Sequence, residues 1–552
     1  MGAIAASLYG AGVGRQEVIN WGGLPLIATF FRASLTPDLG RDFLQIILRA
    51  TGVTFAYGVC GTVLSLLLGF IGGIAASEMW WRTLWPRRPW LGRPLWVMVR
   101  GLLAVPRAIH ELIWGLIFVN LIGLDPLVAV IAIAVPFGAI VAKVFSEILD
   151  ETPSEPLQAL VGAGVPPLMA FLYGLLPQAL PNLISYSFYR FECALRSAAV
   201  LGIIGAGGLG YEIFLSLQSL RYEQLWTAFY ALILLNGAVD AWSGWVRRQM
   251  GFTSRLDINA GGAPSQGSRS PTAMARYLMP LSLVAGAIAI PLCFASLDLG
   301  WQSLWAAPTW ARLGELVQSS RPKPLTGEQI GTLASLAGQT VAMAILAITL
   351  AGIGGIIAAF PAAQNIWMPG GLLRPIGQRL EANDRTGNRG WGAGLALVLS
   401  RLLLLVSRAV PAPIWALVCL YGLFPGLLPG AIALALHNFG ILGRLMAEVN
   451  ENLDDRPVRA LRALGSPSSL VLLYGLLPQT LGRFLAYILY RWEVCMRETV
   501  IVGLVGAGGL GRLMTEQISS FDYQGLTVTL GVFVVLTFGV DLISTRLRSV
   551  LH

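Results

Sequence analysis

The feature that most constrains this chain is that it is written twice. LYGLLPQ occupies residues 172–178 and again 473–479, and YRFECALRSAAVLGIIGAGGLG from Tyr189 is answered by YRWEVCMRETVIVGLVGAGGLG from Tyr490. A single offset of 301 relates Pro177 to Pro478, Trp114 to Trp415 and Lys143 to Arg444. A match of this length is a tandem duplication, so the two halves must share one fold.

The repeated unit is apolar. Of 552 residues, 55% are hydrophobic and 12% charged, far from the balance of a soluble domain. Several stretches reach the roughly 20 residues that a helix needs to cross a bilayer. They are continuously apolar and do not alternate, which excludes a transmembrane β-barrel. The expected fold is an all-α polytopic membrane protein. Spans are expected at 45–76, 95–121, 125–148, 177–201 and 224–246 in the first copy. The second copy repeats them at 331–360, 399–424, 427–448, 478–502 and 525–545. Five is odd, so direct fusion would invert the second copy. An extra apolar run at 278–296 restores parallel orientation, for about eleven transmembrane helices.

The expected organisation is therefore a first repeat at 1–246, a cytoplasmic linker at 247–277, the extra helix at 278–296 and a second repeat at 297–552. Segments 24–35 and 310–319 are too short to cross, carry charge among apolar residues, and read as interfacial helices on the outer surface. A cleavable signal peptide is not expected, because 1–14 is short and lacks a basic leader.

The net charge of +9 reports topology. Arg82, Arg87, Arg88 and Arg93, and Arg374, Arg379, Arg385 and Arg389, gather in short loops expected to be cytoplasmic. The linker should be cytoplasmic too, and its Gly/Ser/Pro-rich middle, 261–271, reads as flexible. LIGLDP at 121–126 has no Lys or Arg and fits the outside, which leaves 150–166 and 451–467 in the cytoplasm. With no long basic run and no basic–aromatic platform, nucleic acid is not an expected partner. Cys60, Cys193, Cys293, Cys419 and Cys495 lie in or beside apolar segments without metal-ligand spacing. Neither a disulfide framework nor a metal site is expected.

In each copy the third span leads into a polar stretch, a glycine, and an apolar run opening with Leu-Pro. QALVGAG ends at Gly164, thirteen residues before Pro177, and RALRALG ends at Gly465, thirteen before Pro478. This spacing resembles the EAA loop of ABC-importer permeases. Together with GAGGLG and Y-R-[FW]-E, it resembles the phosphonate-importer permeases of the PhnE type along nearly the whole chain, twice. The resemblance implies a five-helix type I importer core in each copy. It also implies uptake of phosphonate or a related phosphorus oxyanion (phosphite, hypophosphite or phosphate) across the bacterial cytoplasmic membrane.

On that resemblance the ATPase-coupling residues are Glu155, Gln158, Ala159 and Gly164 in the first copy, and Arg459, Ala460 and Gly465 in the second. The implied partners are two copies of a cytoplasmic ABC ATPase, which carry the ATP and Mg, and an extracytoplasmic substrate-binding protein, with no cofactor on this chain. The loop's usual glutamate is replaced by Gln158 and Arg459, so the two loops differ in charge.

No G-x-x-x-x-G-K-[ST] phosphate loop occurs, so nucleotide chemistry is expected elsewhere. GAGGLG satisfies G-x-G-x-x-G but follows a membrane helix instead of a strand. Gly205, Gly207 and Gly208, and Gly506, Gly508 and Gly509, are expected to turn the chain at the outer surface between spans four and five.

Ionisable residues inside spans are functional hypotheses by default. Glu192 and Arg196, like Glu493 and Arg497, are four apart and are expected to form structural ion pairs on one helix face. Arg107 reaches Glu111 by the same spacing. Arg190, Arg491 and Arg408 lack such a partner, since Ala412 stands in the place of Glu111, and Pro411 in that of His110. A guanidinium suits an oxyanion. Two roles stay open for these arginines and for Arg107: lining an anion's route, or pairing across helices and snorkelling. An ion-coupled secondary transporter with parallel repeats would share the duplication and the charges, but would not need the coupling loop twice.

Overall fold

The computed structural model describes residues 2–11, 17–85, 89–249, 273–321, 324–367, 388–454, 456–504 and 506–551. Among these the chain is helical between connections, with one isolated antiparallel bridge between Ile19 and Leu423. Arg87, Arg88, Arg374, Arg379, Arg385 and most of the expected linker lie outside the described residues.

Among the described residues, eight helices are long and apolar enough to cross a membrane. They are Arg41–Ala76, Pro126–Glu151, Pro167–Ala206 and Tyr222–Arg247 in the first copy, and Gly327–Ala362, Leu427–Glu451, Ser468–Gly503 and Tyr523–Arg548 in the second. Local chemistry sets their starts. Asp125 accepts the Leu127 N–H at 2.7 Å, and Pro126 fills a first-turn position where a missing donor is harmless. Thr326 and Gln329 form a reciprocal capping box at the head of Gly327–Ala362.

The second span of each copy departs from expectation. Neither 95–121 nor 399–424 is one helix: Trp90–Ala108 meets Glu111–Ile122 at 86°, and Gly394–Ala409 meets Ala412–Gly422 at 98°. Pro106 removes a donor from the last turn before the first break, and His110 leaves helical geometry to accept the Leu112 N–H through Nδ1 at 3.2 Å. In the second copy Pro411 itself stands at the break and keeps Val410 from continuing the helix. One tryptophan bridges each bend. Trp114 Nε1 donates to the Pro106 carbonyl at 3.4 Å, and Trp415 Nε1 to that of Ser407 at 3.2 Å.

Counting each bent pair as one span gives up to ten, against the eleven expected; Leu281–Ser296, the described apolar part of Ala273–Ser296, is too short by the same measure.

The chain forms two compact units that cut it differently from the order of the repeats: 33–318, and 1–32 together with 319–552. Within the first of these, Ala273–Ser296 packs on Arg41–Ala76, and Arg312 Nη1 donates to the Leu121 carbonyl at 3.2 Å. Within the other, Gly2–Gly10 packs on Gly327–Ala362. There, backbone bonds Asn20 N to Gly422 O (2.9 Å) and Phe424 N to Val18 O (3.1 Å) fix the leader against the loop after the second span. Each leading segment thus covers the same features of a repeat, first span and second-span loop, but of the repeat it does not precede. Short helices do occur at Leu24–Ala33 and Ala307–Ser319.

Candidate functional site

After the third span of each copy comes an eight-residue helix, Glu155–Gly162 or Arg456–Ala463. Each is held by one apolar anchor: Leu157 is 2% exposed and Val458 is fully buried. Gln158 and Ala159, and likewise Arg459 and Ala460, face solvent. Both helices end alike. Gly164 has φ +83° and Gly465 φ +78°. Val165 N reaches back to Leu160 O (3.0 Å) and Ser466 N to Leu461 O (3.2 Å), closing a Schellman-type cap that only a residue tolerant of left-handed geometry makes without strain.

A carboxylate at the end of each third span ties it to the segment after the first span and to an arginine of the second. Asp150 accepts from Ser77 Oγ at 2.6 Å, the Met79 N–H at 3.1 Å and Arg100 Nη2 at 3.2 Å. Glu451 accepts from the Gln364 N–H at 2.9 Å and from Arg401.

The apolar run that follows is widened by a π-turn, Phe171–Leu175 or Val471–Leu476. The cause lies in the Leu-Pro-Gln motif. Pro177 and Pro478 bring no N–H, and the Gln side chain one residue on supplies a donor: Gln178 Nε2 bonds Gly174 O, and Gln479 Nε2 bonds Gly475 O at 2.6 Å. Gly174 also lets the eight-residue helix sit close, since a Cβ there would lie 3.0 Å from Leu157 Cα.

The GAGGLG turns are docked on the first spans. Gly205, Gly207, Gly208, Gly506, Gly508 and Gly509 all take left-handed φ, from +69° to +94°. Leu209 N donates to Thr54 Oγ1 at 2.8 Å and Leu510 N to Thr340 Oγ1 at 2.9 Å. Each threonine in turn donates to its own helix backbone, at Ala50 O and Leu336 O. A Cβ on Gly208 would meet Thr54 Oγ1 at 2.6 Å, so the glycine serves close approach as well as φ. A short helix, Leu209–Gln218 or Gly509–Ser519, then precedes the fifth span, where the glycines alone lead one to expect only a turn.

The buried charges are arranged differently in the two copies. Arg190 is 8% exposed and its guanidinium lies 3.8 Å from the centroid of the Phe137 ring. Arg107 and Arg408 occupy the last turn before each bend, where a cation complements the helix dipole. Glu111, across the break from Arg107, accepts from Ser197 Oγ at 2.5 Å and lies 3.2 Å from His110 Nε2.

In the second copy Arg491 donates to Glu498 Oε1 (2.8 Å) and Asn438 Oδ1 (2.6 Å), while Asn438 Nδ2 donates to Glu498 Oε2 (2.9 Å). The expected Glu493–Arg497 pair lies at 3.5 Å. Its counterpart differs: Glu192 accepts from Ser243 and from Arg247 Nη2 at 3.1 Å on the fifth span, and Arg196 Nε points to the Glu192 main-chain carbonyl. Among the described residues no cluster of three or more His, Cys, Asp or Glu is placed to hold a metal.

The profile of the family described as binding-protein-dependent transport system inner membrane component matches residues 86–251 and, again, 390–550. The chain belongs to this family. It is a permease with two such domains in tandem, an inner-membrane component with multiple spans, and not itself an ATPase. The permease is 27% identical over 455 residues to the phosphate-import permease protein PhnE of Mycolicibacterium smegmatis, which spans 82% of this chain and 77% of that one. It is 29% identical over 228 residues to the phosphite transport system permease protein PtxC of Stutzerimonas stutzeri, covering 41% of this chain and 78% of the relative. The di/tripeptide transport system permease protein DppC of Pseudomonas aeruginosa aligns over 173 residues at 27% identity, 31% of this chain and 53% of that one.

Several residues that organise the permease were missed in its sequence: Thr54 and Thr340, Asp150 and Glu451, and the Asn438–Glu498 half of the Arg491 network. A signal for the last existed. At the 301-residue offset, Glu498 replaces Ser197 and Asn438 replaces Phe137, so a new buried acid and a new amide arise together beside an unchanged arginine.

Proposed function

We propose that this permease forms the membrane pathway for import of a phosphonate or a related phosphorus oxyanion, namely phosphite, hypophosphite or phosphate. A substrate-binding protein delivers the ion from outside. Two separate ATPase subunits, carrying ATP and Mg, drive passage by seating on Glu155–Gly162 and Arg456–Ala463 at the cytoplasmic side, with the GAGGLG turns on the outer side.

The observation that carries this reading is the alignment with a phosphate-import permease across both copies, 82% of the chain. The peptide permease matches only 31% of it. The coupling assignment is supported by the identical caps at Gly164 and Gly465 and by the exposed faces bearing Gln158 and Ala159, Arg459 and Ala460.

Arg190, Arg107 and Arg408 are proposed to line the anion's route, because a guanidinium offers a planar fork to an oxyanion and keeps its charge when desolvated. Arg491 belongs to the same route, but an anion reaches it only in exchange for Glu498.

The test is ATPase stimulation in the reconstituted complex. Binding protein presented with methylphosphonate, phosphite, hypophosphite or phosphate should stimulate with at least one of them, while sulfate and a dipeptide leave the basal rate. Stimulation by the dipeptide alone, or uptake without any ATPase partner, would overturn the reading.

A further inference from the structure

One arginine in each copy joins the cytoplasmic ends of the first three spans. Arg100 Nε donates to the Ala76 carbonyl at 3.0 Å, and its Nη2 reaches Asp150 Oδ2 at 3.2 Å. Arg401 Nε donates to the Ala362 carbonyl at 3.0 Å, and its Nη2 bonds Glu451. Ala76 and Ala362 end the first spans, the arginines lie in the second, and the carboxylates close the third. A planar fork holds a carbonyl with one arm and an acid with the other.

Chain connectivity does not impose this geometry. Arginine and carbonyl are 24 residues apart in the first copy and 39 in the second, yet the same guanidinium nitrogens make the same contacts. The carboxylate is Asp in one copy and Glu in the other. Stability is a weak reason to keep the pair, because the Arg100 side chain is 40% exposed and ion pairs so exposed add little. What the node supplies is connection. The cation meets the negative end of the first span's dipole. The carboxylate accepts backbone N–H groups from the residues that follow that span, Glu78 and Met79 or Gln364.

The coupling helix is one short step away. Glu155–Gly162 and Arg456–Ala463 each begin five residues beyond the carboxylate. In the first copy the segment held by Asp150 also carries Trp80, whose ring lies 5.2 Å from that of Phe171 on the π-turn past the coupling helix.

We propose that Arg100 with Asp150, and Arg401 with Glu451, are positioning residues that pass the displacement of a coupling helix to the first and second spans. Three spans of each copy then turn as one body. The inference rests on the coupling role proposed above. Without the node the coupling helix still moves with its ATPase, but the first two spans lag and ATP is hydrolysed without passage.

The test reads ATP hydrolysed per ion imported in proteoliposomes holding the permease, its ATPase subunits and the binding protein. Methylphosphonate, phosphite, hypophosphite and phosphate serve as probes. Arg100→Gln combined with Arg401→Gln should assemble with the ATPase and keep basal hydrolysis. Its ATP consumption per ion should rise at least about fivefold. A purely structural defect lowers hydrolysis and uptake together and leaves that ratio constant. Arg100→Cys with Asp150→Cys should raise the ratio as well, and a short bismaleimide bridging the two thiols should return it toward that of reagent-treated wild type.

An unchanged ratio in the double-Gln variant, its failure to assemble, or a bridged Cys pair that stays uncoupled would each overturn the proposal. A benzophenone on Ala159→Cys or Ala460→Cys, both exposed positions, that reaches no ATPase subunit would instead overturn the coupling assignment.

Discussion

Arg491 donates to Glu498 at 2.8 Å, two helical turns further along the same span, and Asn438 closes the triangle by bonding both. The first copy solves the same problem with other residues. Its arginine, Arg190, lies on Phe137, and its acid is Glu111 at the bend of the second span, bonded to Ser197, the counterpart of Glu498. The buried carboxylate has moved from one wall of the repeat to another while each copy keeps a bend, an arginine and an acid. Duplication preserved the scaffold and let its polar interior diverge.

The two arginines should therefore respond differently to loss of charge. Arg491→Gln leaves Glu498 buried against an amide and should destabilise the protein by about 3–5 kcal/mol. Replacing Arg491 and Glu498 together by Met should recover most of that. Arg190→Gln should lower uptake more than about tenfold with the complex still assembled, as a functional charge within a span would. Normal uptake by Arg190→Gln would make Arg190 structural.

At the GAGGLG turn the prediction concerns stability. Thr54→Val and Thr340→Val keep shape but remove the acceptor for Leu209 N and Leu510 N. A buried donor left unsatisfied costs about 1–3 kcal/mol. Each Val variant should unfold at lower temperature, and Thr54→Ser should behave as wild type. Unchanged unfolding in both Val variants would show that the turn is not held through its threonines.

Gly164 and Gly465 isolate backbone geometry, because nothing lies within 4 Å of a Cβ at either position. Val there meets only the strain of positive φ, about 1–3 kcal/mol, while Asn tolerates it. Both Val variants should insert and purify normally yet lose substrate-stimulated ATPase activity, and both Asn variants should retain it. Full stimulation in the Val variants would count against the coupling role of these caps.

What was legible in the sequence was what periodicity and repetition encode. The helical class, the eight long spans and the left-handed glycines follow from apolar length, a fixed offset and residue types that few backbone conformations accept. The bend in the second span was hidden because 95–121 has the length and apolar content of a single span despite Arg100, Arg107, His110 and Glu111, and hydropathy is blind to direction. Pro106 and Pro411 carried the signal, but a proline in an apolar run is compatible with a kink as well as a break.

The paired charges were legible only where both partners lie on one unbroken helix. Glu493 and Arg497 meet that condition. Glu192 does not find Arg196, because Arg247 and Ser243 arrive from the fifth span, a contact separated by 51 residues or more. Nor could chain order reveal that residues 1–32 pack in the unit of the second copy.

The central claim is that one chain supplies both halves of a pore and so engages two ATPase subunits. Native mass measurement of the complex, purified with its ATPase in a nucleotide-free state, tests this most directly. The account predicts one 59.1 kDa permease chain for every two ATPase subunits. A complex containing two copies of this chain would contradict it, because each repeat would then need a partner from another molecule.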